Sequence, residues 1–158
     1  MSMRIGQGID VHRFSDDPHR PLVLGGVTIE GGRGLGGHSD ADAVCHALAD
    51  AVLGALRLGD LGRHFPDTDP VWEGANSITL LTTVMAMATE RGYGCANADC
   101  TIVADSPRLA PHVETMGDKL SDVMAAPVSV KATRAEGLGA LGRAEGIACL
   151  AVVLLEQQ

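Results

Sequence analysis

Apolar positions recur along this chain with two different periods. Over Arg4–His12 they alternate: Ile5, Ile9 and Val11 fall on one face, and Gly6, Gly8, Asp10 and His12 on the other, as in a strand. From Ser39 the period becomes helical. Val44, Leu48, Val52 and Leu56 form one stripe, and Asp42, His46 and Asp50 form another. This spacing predicts a helix capped by Ser39 or Asp40 and ending near Leu56–Gly59. Its polar stripe is unusual, because solvated helix faces mix Lys with Glu and this one has no Lys.

The remaining elements follow in order. Leu22–Ile29 reads as a strand pair or a bent strand, and the glycine-rich 31–37 segment as a flexible loop. Gly59–Pro70, with its Pro and Asp residues, reads as a structured loop. A second helix, capped by Ser77, carries Ile78, Leu81, Val84, Met85 and Ala88 and stops at Arg91-Gly92. Ala98–Ala104 is a strand and Ser106–Pro111 a loop. A short helix runs through Met116 and Leu120, then a strand over Val128–Thr133. After the glycine-rich 137–146 run, the last strand spans about Ile147–Leu155. This order predicts an α+β fold: one mixed β-sheet with helices packed on one face, in a single domain over residues 1–158.

Composition narrows the function. Aromatic residues make up only 3% of the chain, so the core must be aliphatic. Four Cys without a CxxC pair, and no visible secretory signal, point to a reducing cytoplasm rather than to disulfides or a zinc finger. No apolar run reaches membrane-spanning length. A net charge of −8 argues against nucleic-acid partners, which need clustered Lys and Arg. A small phosphorylated substrate stays admissible if metal ions, helix N-termini and a few Arg supply positive potential; Lys119 and Lys131 are the only lysines.

The candidate chemistry sits on the first strand and the main helix. Asp10 and His12 project together, and His46 comes from an element able to pack against them. One carboxylate and two imidazoles make a three-ligand set with a fourth position open, suited to Zn²⁺ or Mn²⁺. Spacing alone leaves the alternative open, an Asp-x-His pair at a strand end and an unrelated helix histidine. Asp50, one turn beyond His46, is either a group orienting that ligand or a solvated acid. His38 is either beside an anion at the helix N-terminus or an ordinary loop histidine. The 59–70 segment is either a substrate wall or a plain connection. Cys45 packs inward rather than reacting.

Together these segments resemble the 2-C-methyl-D-erythritol 2,4-cyclodiphosphate synthases of the non-mevalonate isoprenoid pathway. The likeness runs nearly end to end. It is carried by Gly8-Ile9-Asp10-Val11-His12, His38-Ser39-Asp40-Ala41-Asp42, His46, Gly59-Asp60-Leu61-Gly62, Phe65-Pro66-Asp67-Thr68-Asp69, Lys131-Ala132-Thr133 and Gly142-Arg143-Ala144-Glu145-Gly146-Ile147-Ala148. The resemblance implies a cytidine diphosphate substrate, 4-diphosphocytidyl-2-C-methyl-D-erythritol 2-phosphate. Its 2-phosphate attacks its own β-phosphorus, releasing CMP and a cyclic diphosphate. It further implies a homotrimer with active sites between subunits.

Residue by residue, the resemblance gives Asp10, His12 and His46 the first ion. His38 and Ser39 contact substrate phosphate. Asp60, Leu61, Gly62, Phe65, Pro66, Asp67, Thr68 and Asp69 form the erythritol wall and mobile loop. Ala104, Asp105, Ser106, Pro107, Arg108, Leu109 and Ala110 of an adjacent subunit hold cytidine, with Thr133, Arg134, Ala135 and Glu136 near the diphosphate. Glu136 takes a second ion, Mg²⁺ or Mn²⁺. Arg143 and Glu145 lie near the trimer axis, where an isoprenoid diphosphate can bind.

Several positions depart from the family pattern. Gln7 stands where His is frequent. Ala41 replaces the usual Gly of His-Ser-Asp-Gly-Asp, which is tolerated at negative φ. Ala140 and Ala144 replace a bulkier residue and a Gly. Arg134 and Ala135 replace a pair of Thr, so Arg134 is expected to act on the diphosphate by charge, alongside His38. Two rival functions fit the same ligands: a metal-dependent phosphohydrolase, with water as nucleophile, and a non-catalytic trimer with a structural ion.

Overall fold

The computed structural model describes residues 2–158. Strand β1 (Met3–Arg13) is followed by a hairpin of β2 (Leu22–Leu24) and β3 (Val27–Ile29). Helix α1 (Ala43–Ala55), the short α2 (Leu61–His64), a 3₁₀ turn over Pro70–Trp72 and α3 (Ser77–Glu90) come next. Then β4 (Tyr93–Val103), α4 (Val113–Met124), β5 (Val128–Thr133), the one-turn α5 (Gly139–Gly142) and β6 (Gly146–Gln157) complete the chain. The main sheet has the order β1-β6-β4-β5, antiparallel except for the parallel β4–β5 pair. It is the mixed sheet that the element order predicts, with the β2–β3 hairpin standing apart from it.

Helix α1 is the centre of the molecule. Ala43–Ala49, Ala51–Leu53 and Ala55 are all buried, so both of its stripes are covered. It lies across β1 and β6, with α3 packed on its other side. Leu48 and Leu53 meet a core that includes Leu81, Ile102, Met116, Leu120, Ile147 and Leu155. The glycines of β1 make this approach possible. A Cβ on Gly6 would fall 1.8 Å from the Ala51 carbonyl oxygen, so only Gly fits there.

The cap of α1 is Asp42 rather than Ser39 or Asp40. Its carboxylate accepts the Val44 and Cys45 amides, both at 3.1 Å, and also the amides of Gly25 (2.8 Å) and Gly26 (2.6 Å) in the hairpin turn. One buried side chain thus ties the hairpin to the helix N-terminus. Burial pushes its pKa up, against the backbone amides and the Cys45 thiol that pull it down. Asp42 therefore belongs to the core and not to a polar stripe. Cys45 is buried, its thiol donates to Asp42, and burial pushes its pKa far up, so it is inert as a nucleophile.

Three further differences from the sequence reading concern backbone detail. Asn76, not Ser77, caps α3, and Ser77 is the first helical residue. The loop after Gly59 contains α2 and the 3₁₀ turn, capped by Asp60 and Asp69. Ala41 and Ala144 both adopt positive φ, +56° and +53°, the conformation for which Gly is suited. Ala41 is thus not at the negative φ that would make it an easy replacement.

Candidate metal centre

Strand β1 and helix α1 bring three side chains to one point. The ligand atoms of Asp10, His12 and His46 lie within 4.8 Å of one another. Asp10 Oδ2 is 2.6 Å from His12 Nδ1 and 3.4 Å from His46 Nδ1. At the shorter distance the pair still fails to form a well-directed hydrogen bond: both atoms are buried without a hydrogen-bond partner. Two unpaired donor atoms this close, with a second imidazole beside them, suit a shared cation better than a salt bridge. The set of one carboxylate oxygen and two imidazole nitrogens fits Zn²⁺ or Mn²⁺.

The electrostatics of the three groups are coupled. Burial pushes Asp10 up, but His12 and His46 outweigh it, and its pKa is held at about 2 against an ordinary 3.8. For His46, burial opposes the charged ring, but the Asp10 carboxylate prevails and the pKa is raised. Asp10 is thus an anion at any physiological pH, as a ligand must be.

A cavity of about 250 Å³ opens beside the triad. Its walls include His12 and His46, His38 and Ser39, and Leu61, Phe65 and Asp67. His38 Nε2 lies 3.2 Å from the Asp69 carbonyl oxygen, which ties it to the 65–69 loop. Asp60 is exposed and caps α2 through the Arg63 amide; Gly62, Pro66, Thr68 and Asp69 are not wall residues of this cavity. Asp50 accepts the Leu61 amide at 2.6 Å, so its carboxylate holds α2 in place. Burial raises its pKa.

Trp72 and Leu80 also line this cavity and were missed by pattern reading. Trp72 stands edge-on to Phe65, with ring centroids 4.9 Å apart. Its signal was available: it is the sole Trp of an aromatic-poor chain, beside a Pro- and Asp-rich loop.

A second cavity, about 390 Å³, is lined by Ala104, Asp105, Pro107–Ala110 and Ala132–Arg134. Ser106 and Ala144 instead line a smaller cleft with Phe14 and Arg33. The second cavity shares no lining residue with the first. Arg134 Nε donates to Asp105 Oδ1 at 3.0 Å across it. Glu136 is exposed at positive φ, and Arg143 pairs with Glu145 at 2.6 Å. A larger hollow of about 520 Å³ between residues 15–21 and 28–33 holds none of the triad.

The fold and the triad define an α+β protein with a candidate divalent-metal centre at a helix–strand junction. The model of the YgbB family matches residues 3–156. Over 158 aligned residues, 98% of this chain and 99% of the relative, it is 51% identical to the 2-C-methyl-D-erythritol 2,4-cyclodiphosphate synthase of Bacillus cereus (strain B4264). Its fold matches the bifunctional IspDF from Campylobacter jejuni with a TM-score of 0.94 and 39% identity, over 99% of this chain and 43% of that longer one. A CDP-bound structure of 2C-methyl-D-erythritol-2,4-cyclodiphosphate synthase matches with a TM-score of 0.87 and 40% identity, over 97% of this chain and 100% of the other. This chain belongs to the YgbB family, that of the 2-C-methyl-D-erythritol 2,4-cyclodiphosphate synthases. No helix among the described residues is long and apolar enough to cross a membrane.

Proposed function

We propose that this chain, as one domain over residues 1–158, converts 4-diphosphocytidyl-2-C-methyl-D-erythritol 2-phosphate to 2-C-methyl-D-erythritol 2,4-cyclodiphosphate and CMP, as a lyase of the non-mevalonate isoprenoid pathway. The observation that carries the reading is the convergence of Asp10, His12 and His46 beside a cavity whose wall holds the two imidazoles together with His38 and Ser39. Asp10, His12 and His46 hold one divalent cation, and Glu136 faces a second. When bound, these ions supply charge neutralisation and Lewis-acid polarisation to two phosphate groups that otherwise repel.

The chain's own residues curl and fix the substrate. His38 and Ser39 donate hydrogen bonds to phosphate oxygens. Leu61, Phe65 and Asp67 hold the erythritol in an orientation that makes the attack intramolecular. The Ala104–Ala110 segment of an adjacent subunit receives the cytidine, and Thr133–Glu136 flank the diphosphate. The two unconnected cavities favour this division between subunits.

The homotrimer has its own support. Ile5, Ile9 and Val11 are 74%, 54% and 61% exposed, and Leu150 and Val152 of neighbouring β6 continue the patch. An exposed apolar patch of this kind marks an interaction surface, and packing it against further copies of the chain would remove it from water. Arg143 and Glu145 then lie near the axis, available to an isoprenoid diphosphate. The four free cysteines accord with the cytoplasm.

Phosphorus NMR of a reaction with the cytidyl substrate tests the reading. Cyclic diphosphate plus CMP, abolished by EDTA, is expected. Free phosphate would instead make the protein a phosphohydrolase, and activity indifferent to EDTA would remove the cation.

A further inference from the structure

His46 is oriented from behind by a buried chain of hydrogen bonds that the catalytic reading does not use. Its Nε2 lies 2.9 Å from Ser77 Oγ, and Ser77 is fully buried. Ser77 Oγ in turn bonds Asp40 Oδ1, and the Ser77 amide reaches Asp40 Oδ2 at 3.1 Å. Asp40 is held from the other side by the Asp42 amide (3.2 Å), and its own amide bonds the Ala75 carbonyl (3.0 Å).

The proton inventory decides the direction of this chain. A carboxylate only accepts, so the single hydroxyl proton of Ser77 goes to Asp40. Ser77 Oγ then has only lone pairs to offer His46, so Nε2 must carry the ring proton. That leaves Nδ1 with its lone pair exposed toward Asp10. Ser39 Oγ lies farther from Nε2, at 3.2 Å; its hydroxyl proton is free to turn away, whereas that of Ser77 is committed to Asp40, so the nearer contact decides the tautomer. The competing arrangement, an Nδ1–H aimed at Asp10 Oδ2, would span 3.4 Å, beyond the usual range.

We propose that Asp40 and Ser77 are positioning residues that lock His46 in the Nε2–H tautomer, presenting Nδ1 as a ready-made metal ligand. Part of this rests on the assignment of the triad to a cation; the tautomer itself does not. The relay also links the first turn of α3 to the centre, so the α1–α3 packing sets the ring's orientation. Ligand imidazoles are commonly held this way through their other nitrogen, and loss of such a partner typically costs ~10–100-fold in metal affinity.

The test uses the full chain with Ser77→Ala and Asp40→Asn. Ser77→Ala leaves the Asn76 cap of α3 in place, and Asp40→Asn keeps the side-chain shape while removing one acceptor. Nitrogen-15 NMR of the His46 ring, on metal-free protein at alkaline pH, should give a protonated Nε2 in the parent. In both variants the population should move toward Nδ1–H. Zn²⁺ affinity, by competition with a chelator, should fall ~10–100-fold in each. A protonated Nδ1 in the parent, or a folded Ser77→Ala protein with unchanged tautomer and unchanged Zn²⁺ affinity, overturns the proposal. A parent that takes up no Zn²⁺ would refute the cation while the nitrogen shifts still judge the relay.

Discussion

Gly8 of β1 sits directly against Ala47 of α1: a Cβ at Gly8 would lie 1.9 Å from the Ala47 carbonyl oxygen. The contact brings the Ala47 backbone against Gly8, one residue after His46 and two before Asp10 in their elements. Gly8→Ala must therefore push helix and strand apart. It is expected to cost about 3 kcal/mol or more and to weaken metal binding, because the imidazole and the carboxylate separate. Chemical denaturation and Zn²⁺ titration check it; a stable variant with full metal affinity would contradict it.

Ala41 and Ala144 pay for a left-handed backbone. That conformation costs an L-residue roughly 1–2 kcal/mol, partly offset by the extra unfolded-state entropy of Gly. Ala41→Gly and Ala144→Gly are each expected to stabilise the chain by about 0.5–1 kcal/mol. Thermal melts with a higher midpoint are the expected result.

Arg134 spends its Nε on Asp105 and extends the rest of an exposed guanidinium over the second cavity. Its pKa is raised by that carboxylate. Arg134→Ala leaves the buried Asp105 carboxylate without its cation, so a lower melting midpoint is expected. If the guanidinium holds the diphosphate, KM for the cytidyl substrate should rise about tenfold. Unchanged turnover and substrate affinity would remove Arg134 from the site.

Ile9 lies opposite Leu150 on the open sheet face. Ile9→Glu puts a charge where copies of the chain would meet. If each site draws on two subunits, as proposed, sedimentation should show monomers in place of trimers, with activity lost. A trimeric, active variant would mean that this face is not the interface.

The triad also sets a pH dependence for metal-free protein. The lowered pKa of Asp10 contributes stability above 3.8 that is lost as pH falls toward about 2. The raised pKa of His46 contributes stability below 6.5 that is lost as pH rises through its raised value. EDTA-treated protein should be most stable between these limits. With Zn²⁺ present the trend below 6.5 reverses, because protons compete with the cation for the imidazoles. Melting curves across pH, with and without Zn²⁺, read both.

Much of the site was legible in the order of residues. Alternation in β1 put Asp10 and His12 on one face, and helical spacing put His46 inside α1, because local geometry follows period. The family motifs supplied the rest of the candidate residues. Which elements touch was not legible. Period alone does not say that α1 covers the glycine face of β1 and leaves Ile5, Ile9 and Val11 open; backbone approach decides that, since only the Gly face admits a helix so closely. Nor could spacing distinguish the roles of the acids. Asp42 turned inward to four backbone amides, Asp50 went to Leu61, and Asp40 went to Ser77, because each carboxylate follows the donors that packing brings to it. The sequence by itself determined the candidate ligand set and the two elements that carry it. Tertiary structure decided the partners behind it, because those hydrogen bonds join residues far apart in the chain.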